Sequence, residues 1–152
     1  MASKRFNLLA AAIGLAFLIL GAFAWGTLRK IQLDNGSSDL AIQLLQTSLT
    51  AGSAETLIDH AHPELLAFMP AQSFNAYIGA AVRNLGSLQE MSSISGASSA
   101  GMLALPNQTI NASYVIELQL GETPVSAVMD LRYEDSQWWL LNLLLDTPQL
   151  MQ

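Results

Sequence analysis

YVIELQLGETPVSAVMDLRYEDSQWWLLNLLL, residues 114–145, contains three stretches with the patterns of β-strands. Apolar and polar residues alternate from Tyr114 to Leu120 and again from Val125 to Tyr133, as in strands that bury one face. Turn sequences at 121–124 (GETP) and 134–136 (EDS) separate the stretches. Residues 138–145 are apolar on both faces, so this strand needs cover on two sides. The pattern predicts consecutive antiparallel strands.

Helical patterns come before these strands. The clearest one has apolar residues at spacings of three and four: Phe74, Tyr77, Ile78, Ala81, Val82 and Leu85. Gly86 is expected to end it, as Gly52 ends an earlier helix, and a further helical stretch is interrupted at 62–63 (HP). Residues 92–101 (SSISGASSAG) predict a loop or a frayed strand edge. Helices followed by antiparallel strands indicate the α+β class.

An apolar segment opens the chain. Phe6–Leu28 is 23 residues without a charge, about 35 Å of helix and long enough to cross a bilayer. We therefore expect a membrane anchor at 1–30, a short linker with a polar turn (LDNGS) at 31–37, and a domain at 38–152. The alternative is an export signal cleaved after Ala24, because 22–24 (AFA) has the small-x-small pattern of a cleavage site.

The basic residues beside this segment are nearly balanced, with Lys4 and Arg5 before it and Arg29 and Lys30 after it. A short basic start and an apolar core normally direct export of the rest of the chain. We expect the N-terminus in the cytoplasm of a bacterium, a single pass through the inner membrane, and the domain on the periplasmic side.

Charge and cysteine content exclude several functions. Residues 31–152 carry two cations against all 12 acidic residues of the chain, a formal net charge of −10. Phosphate backbones would repel such a domain, so nucleic-acid binding is excluded. The chain has no cysteine, which excludes disulfides, cysteine nucleophiles and thiolate metal sites. We expect no cofactor.

The order of these segments resembles the nuclear transport factor two-like superfamily. The resemblance runs over about 38–146 and rests on 44–65 (LLQTSLTAGSAETLIDHAHPEL), on 73–91 (SFNAYIGAAVRNLGSLQEM) and on a last strand starting with two tryptophans. It implies three helices on a strongly curved, cystatin-like antiparallel sheet, a pocket at the open end of the cone, and frequent dimers through the outer sheet face. The superfamily includes both enzymes and non-catalytic assembly factors, and it has no shared catalytic motif to carry over.

Four residues are candidates for a pocket. Asp59, His60 and Tyr77 form a possible acid–base set, although Tyr77 also belongs to the apolar stripe of its helix. Arg83 is expected either to pair with a carboxylate or to hold an anionic group. His60 and His62 point about 200° apart on a helix and share a metal only if this piece is extended. We expect helix-end roles for this segment and no metal.

The last strand offers a candidate interaction surface of Trp138, Trp139, Leu141 and Leu143. Adjacent tryptophans on a strand face opposite sides, so one belongs to the core and the other requires a second cover. We therefore expect a non-catalytic binding or assembly subunit that contacts a protein partner or a second copy. The alternative is a tethered small-molecule binder or isomerase-like enzyme that uses the cone pocket.

Overall fold

The computed structural model describes residues 2–101 and 108–147, and the parts of the expected domain at 102–107 and 148–152 lie outside the described residues. The helices are α1 (Ala2–Ala51), α2 (Glu55–Asp59), α3 (Pro63–Phe68) and α4 (Ala71–Leu85). The strands are β1 (Leu88–Ser98), β2 (Ile110–Leu120), β3 (Thr123–Glu134) and β4 (Gln137–Asp146), in the antiparallel order β1-β2-β3-β4. The predicted α+β class is confirmed.

One face of this sheet is covered by helices. From α1, the side chains of Ala41, Leu44, Leu45 and Leu49 are buried, and the helix packs against β1 and β2. The predicted helix at 74–85 is confirmed as α4, which buries Phe74 and Ile78. Gly52 and Gly86 follow α1 and α4 with positive φ angles of 65° and 100°, a conformation that glycine adopts without strain and that ends helices.

The polar turn predicted at 33–37 (LDNGS), within the expected linker, is wrong, because α1 continues through it without a break. Lys30 and Asp34 form an ion pair one turn apart, at 3.1 Å, and the Ser37 hydroxyl donates to the Leu33 carbonyl at 2.8 Å. Leu33 and Ser37 are also buried against the domain. Packing on the sheet therefore outweighs the weak helix propensity of this segment.

Residues 92–98 belong to β1, the edge strand that was one of the two alternatives for the serine-rich segment. The predicted strands at 114–120 and 125–133 are confirmed, with Ile116, Leu118, Val125, Ala127 and Met129 facing the core.

In β4 a bulge changes which residues face the helices. Asp130 pairs with Asn142 and Leu131 with Leu140, so Leu141 is an extra residue without a partner in β3. Trp138 and Leu140 are buried before the bulge, and Leu143 and Leu145 are buried after it. The inward side chains thus change from even to odd positions, and strict alternation along β4 is broken at Leu141.

Helix α1 also contains the apolar N-terminal segment. Its 13–28 portion leaves most of its large side chains exposed, including Phe17, Leu18, Leu20 and Trp25. Its length and composition make it a candidate membrane span. The apolar segment and the first helix of the domain are consequently one element.

Candidate binding site

A cavity of about 330 Å³ opens between α1, the end of α2 and the start of β4. We call it the β4 cavity. It is lined by Gly36, Leu40, Asp59, His60, Gln137, Trp138 and Trp139. Four of the eight residues singled out in the sequence meet here, namely Asp59, His60, Trp138 and Trp139. The remaining four lie elsewhere.

His60 is held at this cavity by three of its polar groups. Its backbone N–H donates to Leu57 O at 3.2 Å and its carbonyl accepts from Leu140 N at 2.7 Å. Its ring Nδ1 lies 3.0 Å from Thr56 O. Because a carbonyl oxygen only accepts, the neutral ring carries its proton on Nδ1, and Nε2 is left as an acceptor.

The two tryptophans are placed differently. Trp138 is only 9% exposed; it stacks at a tilt on Tyr133 with ring centroids 5.1 Å apart, and a Cβ on Gly36 would lie 3.8 Å from its Nε1. Trp139 is half-buried on the opposite face of β4, where His62 packs edge-on against it. Of the four residues expected at an interaction surface, Trp138 and Leu143 are instead buried in the core.

The segment at 60–62 covers part of the β4 edge. It forms a short parallel bridge between Ala61 and Leu140, with His62 N donating to Leu140 O at 2.8 Å. The backbone groups of Leu140 are thereby paired, which blocks that point of an otherwise open strand. This piece is extended because it is part of the sheet.

His62 caps α3 rather than facing the cavity. Its Nδ1 accepts from Glu64 N at 3.2 Å, so its proton lies on Nε2, 3.5 Å from Glu134 Oε2. Glu64 also accepts from Arg132 Nη1 at 3.2 Å. Within 13–101 and 108–147, no group of three or more histidine, aspartate or glutamate side chains is arranged to hold a metal ion.

Tyr77 lies apart from Asp59 and His60. Its hydroxyl accepts from Leu145 N at 2.8 Å and borders a separate groove on α4 with Ala81, Leu85 and Leu145. Arg83 is exposed on the same helix, its guanidinium lying over Gly79, and it forms no ion pair with any residue that the structure describes. The acid–base set suggested by the sequence is therefore divided between two sites.

The outer face of the sheet is not a continuous apolar surface. One cross-strand row is apolar, Val115–Val128–Leu144, with Leu144 53% exposed. On one side of it Ser113 and Asn142 both donate to Asp130, at 2.7 and 3.1 Å. On its other side Ser126 donates to Glu117. Leu141 is half-buried at the bulge.

A polar network joins α1 to the sheet. Asp34 accepts from the backbone N–H of Ser98 at 3.0 Å and from the Ser98 hydroxyl, and it pairs with Lys30. In a second contact, the hydroxyl groups of Ser37 and Tyr114 form a hydrogen bond, with their oxygens 2.6 Å apart. Both contacts lie where α1 enters the domain, and they fix the sheet to this part of the helix.

The network shifts two titrations in opposite directions. Burial opposes ionisation of Asp34, but the hydrogen bonds from Ser98 and the nearby Lys30 ammonium outweigh it, so the pKa of this carboxyl lies below its usual 3.8. Burial is the main cause that raises the pKa of the Tyr114 hydroxyl above 10, against the hydrogen bond with Ser37. Near neutral pH the network thus holds a charged Asp34 and a neutral Tyr114.

Sequence reasoning missed this network. The sequence pattern predicts only a serine-rich segment at Ser98, a strand at Tyr114, and a turn that contains Asp34 and Ser37. Residues 34 and 37 lie on one helix face only when this segment is helical, and the sequence pattern predicts a turn there instead.

The comparisons with known proteins add no relative. No protein-family model, no curated protein and no solved structure matches the chain.

Proposed function

We propose that the chain is a membrane-tethered, non-catalytic binding or assembly subunit whose exported domain contacts a partner in a membrane complex. The observation that carries this proposal is the unbroken helix α1, which runs from the exposed apolar segment into the core of the domain. A flexible linker would let the domain search a large volume. A continuous helix gives it one height and one orientation instead, as a fixed docking subunit requires.

The height follows from the helix geometry. Gly36 is eight residues beyond Leu28, which is about 12 Å along an α-helix. The β4 cavity, which Gly36 lines, therefore lies close to the bilayer surface when 6–28 spans the membrane. A partner held in the same membrane reaches it without a long extension.

The distribution of polar groups favours binding over catalysis. The candidate acid and base residues Asp59 and His60 are separated from Tyr77, whose hydroxyl instead accepts a hydrogen bond from Leu145 N of β4. The alternative of a tethered small-molecule binder is favoured by one feature, the β4 cavity itself, because it combines a carboxylate with aromatic walls.

Membership of the nuclear transport factor two-like superfamily is part of the proposal. Its support is the order of elements, with helices first and a four-stranded antiparallel meander last. The bacterial inner membrane and a periplasmic domain are likewise proposed, on the basic start and apolar core of the first segment. Fold analogy alone gives no activity.

Extraction of the full chain in a mild detergent, followed by native electrophoresis and mass spectrometry, tests the function. We expect the chain in a discrete complex larger than its own 16.3 kDa. Two insertions after Arg29 test the fixed orientation. Two alanines turn the domain by about 200° and raise it by about 3 Å, whereas four alanines turn it by only about 40° and raise it by about 6 Å.

Loss of the complex with two alanines and its retention with four shows that orientation matters. A wild-type chain that migrates alone refutes the proposed function. A complex that survives both insertions refutes the fixed orientation and leaves a simple tether.

A further inference from the structure

We propose that the β4 cavity receives a lysine or arginine side chain of the partner protein. This inference rests on the proposed function, since it names the chemistry by which the partner is recognised. It is carried by the meeting of the Asp59 carboxylate, the His60 ring and the Trp138 indole at one small cavity.

Charge selects a cation. Among the described residues that line the cavity, Asp59 is the one that carries a charge, together with six uncharged residues when His60 is neutral. The domain around it has a formal net charge of −10 over 31–152. A carboxylate in such a lining attracts a positive group, and the surrounding acidic surface steers a basic partner toward it.

The aromatic lining favours the same chemistry. Trp138 and Trp139 both line the cavity, and the Trp138 indole lies on the side of β4 that faces Gly36. An indole face attracts ammonium and guanidinium groups more strongly than other aromatic rings do. The alkyl stem of lysine or arginine also packs well against such a surface. An anionic ligand would meet neither a cation among these lining residues nor a helix end of useful length, since α2 has only five residues.

His60 supplies a fixed acceptor. Because its Nδ1 proton is engaged by Thr56 O, Nε2 presents a lone pair and has no hydrogen-bond partner among the described residues. An ammonium group carries three donors and no acceptor. One donor toward Asp59 and one toward His60 Nε2 would satisfy most of them.

Size favours a single side chain. At about 330 Å³ the cavity is at the lower end of the usual range for small-molecule pockets, about 300–1,000 Å³. One lysine or arginine side chain fits within it, and the rest of the partner remains outside. The position near the bilayer surface indicates a basic residue close to the partner's own membrane segment.

The probe for the experiment is Nα-acetyl-lysine methylamide, with the arginine and norleucine analogues beside it. The full chain is studied in dodecylmaltoside micelles, which contain no ammonium, and the three indole N–H signals are followed by NMR. We expect the signals of Trp138 and Trp139 to shift saturably with the lysine and arginine probes. Trp25, in the apolar segment, is the internal reference.

Two substitutions and a matched control make the result specific. Asp59→Asn should weaken lysine binding by about three- to fivefold, the usual effect of a partly exposed ion pair. Glu55→Gln, which removes an exposed acid at the other end of α2, should leave it unchanged. Gly36→Leu should block binding by filling the cavity. If the Gly36→Leu protein does not fold, the effect of Asp59→Asn on lysine binding tests the inference by itself.

Equal binding of the norleucine probe, or an equal loss in Glu55→Gln, would overturn the inference. A second result would also overturn it. If the indole signals are already shifted in nanodiscs containing phosphatidylethanolamine and the lysine probe has no further effect, a lipid ammonium occupies the cavity.

The native complex separates this inference from the proposed function. Asp59→Asn should reduce the complex, and an unchanged complex would overturn the inference while the proposed function stands. If the wild-type chain forms no complex, the proposed function fails, and the partner as the source of the cation fails with it.

Discussion

Asp34 connects three elements: its carboxylate pairs with Lys30 of α1 and accepts from Ser98 of β1, and its backbone carbonyl accepts from the Tyr114 hydroxyl of β2. Its pKa is lower in the folded protein than the usual 3.8. The carboxylate therefore stabilises the fold above about pH 3.8, and this contribution is lost as the pH falls through the lower, folded-state pKa.

We predict that Asp34→Asn reduces the stability of the domain near neutral pH and removes part of its loss of stability in acid. Urea unfolding followed by circular dichroism between pH 2.5 and 7 measures both effects. Asp39→Asn, an exposed acid on the same helix, serves as the control. Equal acid dependence in wild type and Asp34→Asn would contradict the role assigned to this carboxylate.

The adjacent tryptophans provide a second test at single residues. Trp138→Ala removes a buried indole and should cost about 3–5 kcal/mol of unfolding free energy. Trp139→Ser removes a half-buried ring whose main aromatic contact is His62, so it should cost about 1 kcal/mol and leave the dichroism spectrum unchanged.

Denaturation of the two variants measures these costs, and native electrophoresis measures the complex. Trp139→Ser should weaken the complex, because it changes a residue that lines the β4 cavity without unfolding the domain. Similar costs for both tryptophans would mean that the two rings are equally buried, contrary to the structure.

At the scale of elements, sequence periodicity predicts structure that depends on neighbouring residues. It fails where contacts with residues far along the chain determine the backbone conformation. The spacing of Phe74, Ile78 and Val82 is enough to define α4, because one amphipathic helix needs one apolar stripe. The bulge at Leu141 is different. WWLLNLLL has no polar residue on either face before Asn142, so nothing in its pattern shows where the inward side chains change parity.

The prediction of a turn at 33–37 failed because contacts with distant residues override a clear local pattern. LDNGS has the composition of a turn, and its helical state depends on Ser98 and Tyr114, which are more than 60 residues away along the chain. The candidate site was half predicted by the same logic. Asp59, His60, Trp138 and Trp139 were identified by residue type. The cavity also needs Gly36 and Leu40 from α1, and Gly36 lies in the segment predicted as a turn.

Helix α1 as one rigid element gives a distance that can be measured. The chain has no cysteine, so spin labels at Leu20→Cys and Gln43→Cys are unique. Both positions are exposed and 23 residues apart on α1. A continuous helix places their backbones about 35 Å apart, with a narrow distribution.

Double electron–electron resonance on the full chain in nanodiscs measures this distance. The same pair combined with Gly36→Pro is the control, because proline removes a helix hydrogen bond and bends the axis. A broad distribution centred well below 35 Å in the parent pair would show that residues 31–37 form a hinge after all.

For the whole molecule, charge and hydrophobicity are divided along the chain. All 12 acidic residues lie beyond the apolar segment, and four of the six cations flank it. If 6–28 spans a membrane, as we propose, an anionic bilayer surface would repel the acidic domain, and α1 would set its position. This arrangement would suit the proposed subunit, which presents one side of itself to a basic neighbour.

The last prediction is that segment 6–28 stays attached and that the domain lies on the exported side. Alkaline phosphatase fused after Gln152 should be active in intact bacteria, because it folds only outside the cytoplasm, and green fluorescent protein fused at the same point should stay dark. Deleting 6–28 from both fusions should exchange the two results. The nearly equal basic flanks make orientation the decisive question, since an inverted chain would leave the phosphatase fusion inactive. A membrane fraction whose chain begins after Ala24 by intact-mass analysis would contradict the anchor directly, and the fixed height of the β4 cavity above the bilayer would be lost with it.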